Sequence, residues 1–198
     1  MLLVITAIAL VITVPLAGGR LTRLADIRVR SVWAVLLAAA LQVGISDVAP
    51  GGSHWVHAAL NIVSYLLDAY FLFANRRLAG VPVVALGAAL NLLAITTNGG
   101  VMPASATALR ISGIAERAGF DNSQHLAHAH LAFLGDVIPV PGPWPIGNVL
   151  SLGDLTIFVG ALIVLHHACR SRLFGRERAR AAESARISPD ARGSTAGI

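Results

Sequence analysis

Apolar residues fall along this chain in five long runs, about 2–17, 32–48, 55–74, 81–97 and 149–169. Each run comes near the ~17–25 residues with which a helix crosses a bilayer. The pattern therefore predicts an all-α membrane protein, a five-helix transmembrane bundle filling residues 1–170. The first run has no positive residue ahead of its apolar core, and its first arginine, Arg20, comes after it. That is the reverse polarity of a secretory signal, so the run is read as a retained helix.

Composition sharpens the class. Of 198 residues, 56% are hydrophobic and 13% charged, against about 25% charged in an ordinary soluble domain. All fifteen basic residues are arginine and the formal charge is +5. With abundant Ala, Val and Gly this resembles a GC-rich bacterial composition, so the expected location is a bacterial cytoplasmic membrane, multi-pass. The arginines are not evenly spread. Arg20, Arg23, Arg28 and Arg30 come after the first run, Arg76 and Arg77 after the third, and seven lie from Arg170 onward, while the other two, Arg110 and Arg117, come after the fourth. Alternate loops thus differ sharply, which predicts an N-out, C-in orientation. Residues 171–198 read as an Arg-rich cytoplasmic tail, largely disordered. A single cysteine, Cys169, allows no internal disulfide. Aromatics at 6%, not interleaved with basic residues, argue against nucleic-acid partners.

The stretch 98–148 is predicted to be a long outer cap loop, and a connection of that length usually folds or functions. It opens on the turn-formers Asn98-Gly99-Gly100-Val101-Met102-Pro103. A short amphipathic helix is expected over 105–119, capped by Ser105 or Thr107 and ended by Gly119. Pro141, Pro143 and Pro145 then forbid a helix and predict an extended strap.

Several polar groups are candidates for chemistry. Asn98, Gly99 and Gly100 can gather backbone amides on an anion, or simply cap the preceding helix. Asp136 lies in an apolar stretch and needs a partner or a ligand. Asp154 comes three residues after Ser151, at capping-box spacing, which offers a structural role beside a ligand-binding one. These residues, with Met102, form the candidate ligand site. Asn61, Ser64 and Asp68 recur at helical spacing, and Asn91 is expected at the depth of Asn61; this polar stripe suits either an interhelical clamp or a proton path. His125 and His128 are weak candidates for a metal, since no regular structure aligns them with His130, so no metal and no cofactor is expected.

The runs Asn98 to Pro103, Leu134 to Pro139 and Ser151 to Asp154, with the turn Gly18-Gly19-Arg20, resemble the signature blocks of a bacterial, mainly actinobacterial and Gram-positive, membrane-protein family filed only as a domain of unknown function. Asn98, Gly99, Gly100, Met102, Pro103, Gly135, Asp136, Pro139, Gly153 and Asp154 match its pattern. The resemblance covers the chain to about Arg170 and implies no activity.

The leading expectation is a non-enzymatic binding or accessory protein, with the cap holding a small or lipid-linked ligand or a membrane-protein partner. One alternative is an enzyme on a lipid-linked or headgroup substrate, with Asp136 or Asp154 as base. A further alternative is a small transporter or proton pathway through Asp68. The expected partners are the lipid bilayer and, for so small a bundle, a further copy of the chain.

Overall fold

The computed structural model describes residues 2–44, 54–113, 123–124, 126, 129–142 and 147–173. Among them the helices are α1 (Leu2–Leu16), α2 (Val32–Val43), α3 (His54–Ala74), α4 (Val81–Thr97), α5 (Ala106–Ile111) and α6 (Leu152–Ala168). Four short strands are β1 (Met102–Pro103), β2 (Ser123–Gln124), β3 (Ile138–Val140) and β4 (Asn148–Leu150). β1 pairs with β2 in parallel, and β3 pairs with β4 antiparallel, Ile138 facing Leu150.

The five-span transmembrane bundle is not supported. Among the described residues no helix is long and apolar enough to cross a membrane. Helices α1, α2, α4 and α6 have 15, 12, 17 and 17 residues. At 1.5 Å per residue they are about 18–26 Å long, short of the ~30 Å hydrocarbon layer. α3 has 21 residues but carries His54, His57, Asn61, Ser64 and Asp68. The N-out, C-in assignment required those spans and falls with them. Nor is the cap a plain loop: its backbone is tied by β-pairing, and α5 is only six residues long. Residues 114–120, the strap at 143–146 and the tail from 174 lie outside the described residues.

The chain divides into two compact units, Met1–Thr6 with Arg28–Val164, and Ala7–Ile27 with Leu165–Ile198. In the first, α2 and α3 form an antiparallel pair. Gln42 Nε2 donates to Ser64 Oγ at 2.6 Å near one end. Asn75 and Arg30 meet near the other. α4 and α6 also run antiparallel and touch backbone to backbone. A Cβ on Gly87 would lie 2.5 Å from the Gly153 carbonyl oxygen, and one on Gly80 would lie 2.5 Å from that of Gly160. Only glycine permits that approach. The small buried core beneath the cap is Ala94, Met102 and Leu134, with Leu90 and Ile95 packed against it.

In the second unit, Arg20 N donates to the Cys169 carbonyl at 3.1 Å and Arg172 N to the Ala17 carbonyl at 2.9 Å. His166, fully buried, lies between Thr13 Oγ1 at 2.9 Å from Nε2 and Ser171 Oγ at 2.8 Å from Nδ1. Thr13 gives its one hydroxyl proton to the Leu10 carbonyl at 2.5 Å. It can therefore only accept from the imidazole Nε2–H, while Ser171 Oγ can serve Nδ1 as donor or acceptor.

Candidate ligand pocket in the cap

α4 ends at Asn98, and the side chain of that residue sets the path of the cap. Asn98 Nδ2 donates to the Ala94 carbonyl and to the His130 carbonyl, each at 2.7 Å, while Oδ1 accepts from His130 N at 2.8 Å. The carboxamide thus imitates a strand partner for one distant peptide unit and caps its own helix at the same time. Gly99 and Gly100 come next, at φ +71° and +93°, left-handed values that side chains other than glycine adopt at a cost. Gly100 N donates to the Ile95 carbonyl at 2.9 Å. The turn therefore closes the helix, with the Asn98 and Gly100 amides both engaged by the Ile95 carbonyl.

Beyond the turn, Met102 is 6% exposed and packs on Ala94 and Leu134. Asp136 N donates to the Pro103 carbonyl at 2.8 Å, and Ser105 N to the Asp136 carbonyl at 3.0 Å. Gly135 lies so close to Pro103 that a Cβ there would run into the Pro103 carbonyl oxygen. Ser105 then caps α5, accepting from Ala108 N at 3.4 Å, and Gly113 at φ +69° lies just past its end.

These ties hold segment 103–107 against 129–137 with a gap between them. An open pocket of about 450 Å³ lies there, lined by residues that include Ala104, Ala106, Thr107, Ala129, Ala132 and Phe133. Its walls are mostly apolar, and Phe133 is 61% exposed at its edge. A concave, mainly apolar hollow with a few hydroxyls on its rim is the ordinary form of a small-ligand site.

The candidate residues read from sequence do not form one cluster of ligands. Asn98, Met102 and Asp136 are not among the pocket's lining residues; their bonds and packing tie the segments beside it, and Asp136 is itself 6% exposed. Asp154 lies at the start of α6. Its Oδ1 accepts from Asn91 Nδ2 at 2.8 Å and its Oδ2 from Ser151 N at 3.1 Å. Asp154 N donates to Ser151 Oγ at 2.9 Å, and Ser151 Oγ donates to Asn91 Oδ1 at 2.8 Å. This is a complete capping box locked onto α4.

The polar stripe divides similarly. Ser64, fully buried, makes the α2–α3 clamp with Gln42. Asp68 lies two turns before the end of α3, and desolvation by burial raises its carboxyl above the usual carboxylate range. The side chain of Asn61 lies outside the described residues, as do His125 and His128. Among the described residues no group of three or more His, Cys, Asp or Glu is placed to hold a metal ion.

Sequence reasoning missed the pocket wall. Its signal was small residues, Ala104, Ala106, Ala129 and Ala132, on both sides of a gap. It also missed Asn75, which repeats the device of Asn98. Asn75 Nδ2 donates to the Phe71 and Arg30 carbonyls, and Oδ1 accepts from Arg30 N, all at 2.8 Å.

Residues 26–166 match the model of a family of unknown function, DUF5317, and the chain belongs to that family. A relative from Thermotoga maritima, described as an uncharacterized protein, is 31% identical over 101 residues, which are 51% of this chain and 59% of the relative. The chain thus spans under two thirds of that relative's length. No solved structure matches.

Proposed function

We propose that this member of the DUF5317 family is a binding protein rather than an enzyme, and that its cap pocket takes an apolar group such as an acyl chain. The observation that carries the reading is the hollow of about 450 Å³ between segments 103–107 and 129–137, with its mostly apolar wall. Three features support it as a preformed site: the Asn98–His130 bonds, the Asp136–Pro103 and Ser105–Asp136 backbone bonds, and Gly135 packed against Pro103. A wall fixed in advance lowers the ordering cost of binding. The enzymatic alternative draws little from Asp154, whose two oxygens are engaged in holding α6 to α4.

Titration of the purified full chain with a dansyl-labelled fatty acid tests this reading. The wild type is expected to give saturable binding. Ala132→Trp, which fills the pocket from an exposed wall position, is expected to weaken binding by at least about tenfold, the effect of roughly 1.4 kcal/mol of lost contact. Equal binding by both proteins would refute the assignment.

A further inference from the structure

One end of the α2–α3 pair gathers features that neither the pocket nor the packing of the first unit uses. Between Arg28 and Thr97 the chain has four arginines, Arg28, Arg30, Arg76 and Arg77, and two acids, Asp47 and Asp68. The two arginine pairs are 46 residues or more apart in sequence. Asn75 brings them together, because its carboxamide holds both the N–H and the carbonyl of Arg30 at the end of α3. All four arginines are exposed. Arg30 is fixed through its peptide, so its side chain remains available. The guanidinium of Arg76 lies 4.0 Å over the ring of Phe73 and donates to the Phe73 carbonyl at 2.9 Å.

Next to this basic end comes an aromatic pair. Trp33 and Tyr70 have ring centroids 6.0 Å apart, tilted at 42°. Trp33 is 58% and Tyr70 49% exposed. Beyond them the two helices expose large apolar side chains, Leu36 and Leu37 on α2 and Ile62, Val63 and Leu66 on α3. The order along the pair is thus cationic, then amphipathic aromatic, then apolar. Tryptophan and tyrosine favour the depth of lipid headgroups, and arginine binds phosphate with a planar fork of donors. An acidic protein surface would match the arginines but offers no reason for the aromatic and aliphatic residues behind them.

We infer that the Arg28–Arg30–Arg76–Arg77 end of the α2–α3 pair is a docking surface for anionic phospholipid, with the four guanidinium groups on headgroup phosphates and Trp33 and Tyr70 seated at the headgroup level. This surface shares no residue with the cap pocket. Each arginine near an anionic lipid surface contributes about fivefold in partition, so four give an effect on the order of a hundredfold or more at low salt.

The test is co-sedimentation of the full chain with vesicles of phosphatidylcholine alone and of phosphatidylcholine mixed with phosphatidylglycerol. The mixed vesicles are expected to bind at least about a hundredfold more strongly at low salt, with the advantage fading as salt rises. The fourfold variant Arg28→Gln, Arg30→Gln, Arg76→Gln, Arg77→Gln is expected to lose that advantage and keep the wild-type level on neutral vesicles. Its circular dichroism is expected to match wild type, because the Asn75 bonds use the backbone of Arg30. Trp33→Phe, in turn, is expected to remove the blue shift in tryptophan emission that the mixed vesicles produce. Equal binding to both vesicle types, or an undiminished preference in a correctly folded fourfold variant, would overturn the inference, as would binding to an acidic protein without binding to the mixed vesicles.

Discussion

Two asparagines do the same work at different places, and their environments set what each is worth. Asn75 is 3% exposed and Asn98 only partly buried, yet each caps the helix before it and pairs with one distant peptide. Alanine at either position leaves three backbone groups without that partner. Asn75→Ala should lower unfolding stability by about 2–3 kcal/mol and Asn98→Ala by about 1–2 kcal/mol, since water reaches the latter. Denaturant unfolding of the purified chain measures both. The two variants should separate functionally, because Asn98 holds the segment that carries Ala129 and Ala132 and Asn75 does not. Fatty-acid affinity should fall with Asn98→Ala and stay near wild type with Asn75→Ala. His166 makes a pH-dependent contribution of definite sign. Burial lowers its pKa below the ordinary histidine value, so the folded state prefers the neutral ring that Thr13 and Ser171 bracket. That stability is fully present above about pH 6.5 and is lost as the pH falls below it, by at most about 1.4 kcal/mol per pH unit. Thermal unfolding between pH 7 and pH 5 should show the loss, and His166→Gln should make the slope shallower.

At the level of elements, the apolar runs locate the helices well, because a continuous apolar stretch has no turn-former to stop it. α4 occupies 81–97, the range expected, and α3 begins one residue early. What such runs do not encode is how much of each is one regular helix. The run 149–169 starts inside β4 and is then cut by Ser151, whose hydroxyl caps α6. Reading that run as a single bilayer span therefore fails. The Ser151–Asp154 spacing, by contrast, was legible, because a capping box is a local pattern. Its third member, Asn91, lies 60 residues from Ser151 and gave only a general hint of interhelical contact. The close α4–α6 approach was not legible either, since no local pattern distinguishes a glycine that admits a neighbour from one that only bends a chain. Gly153→Ala would drive a Cβ into the Asn91 carboxamide and to 2.7 Å from the Gly87 carbonyl oxygen. It should cost about 3 kcal/mol, the upper range for overpacking. Gly44 is the matched control. It has helical dihedrals, φ −59° and ψ −41°, and nothing within 4 Å of an added Cβ. Gly44→Ala should be neutral or stabilise by about 0.5 kcal/mol.

For the whole molecule, the sequence singled out the stretch of chain, 98–148, that carries much of the pocket, but not the residues that line it. Asn98, Met102 and Asp136 were singled out as ligand contacts because polar and turn-forming residues in an apolar chain attract notice. Their bonds and packing tie the chain beside the pocket, while plain alanines and Phe133 are among the residues that line it. Hollows arise where side chains are missing, so no residue type announces them. The proposed ligand-binding function of the cap requires that an apolar molecule fill that hollow. Native mass spectrometry of wild type and Ala132→Trp, released in parallel from the same host, tests it most directly. A single apolar adduct of defined mass on the wild type, missing from Ala132→Trp, is the predicted result. The same adduct on both proteins, or none on the wild type, would contradict it.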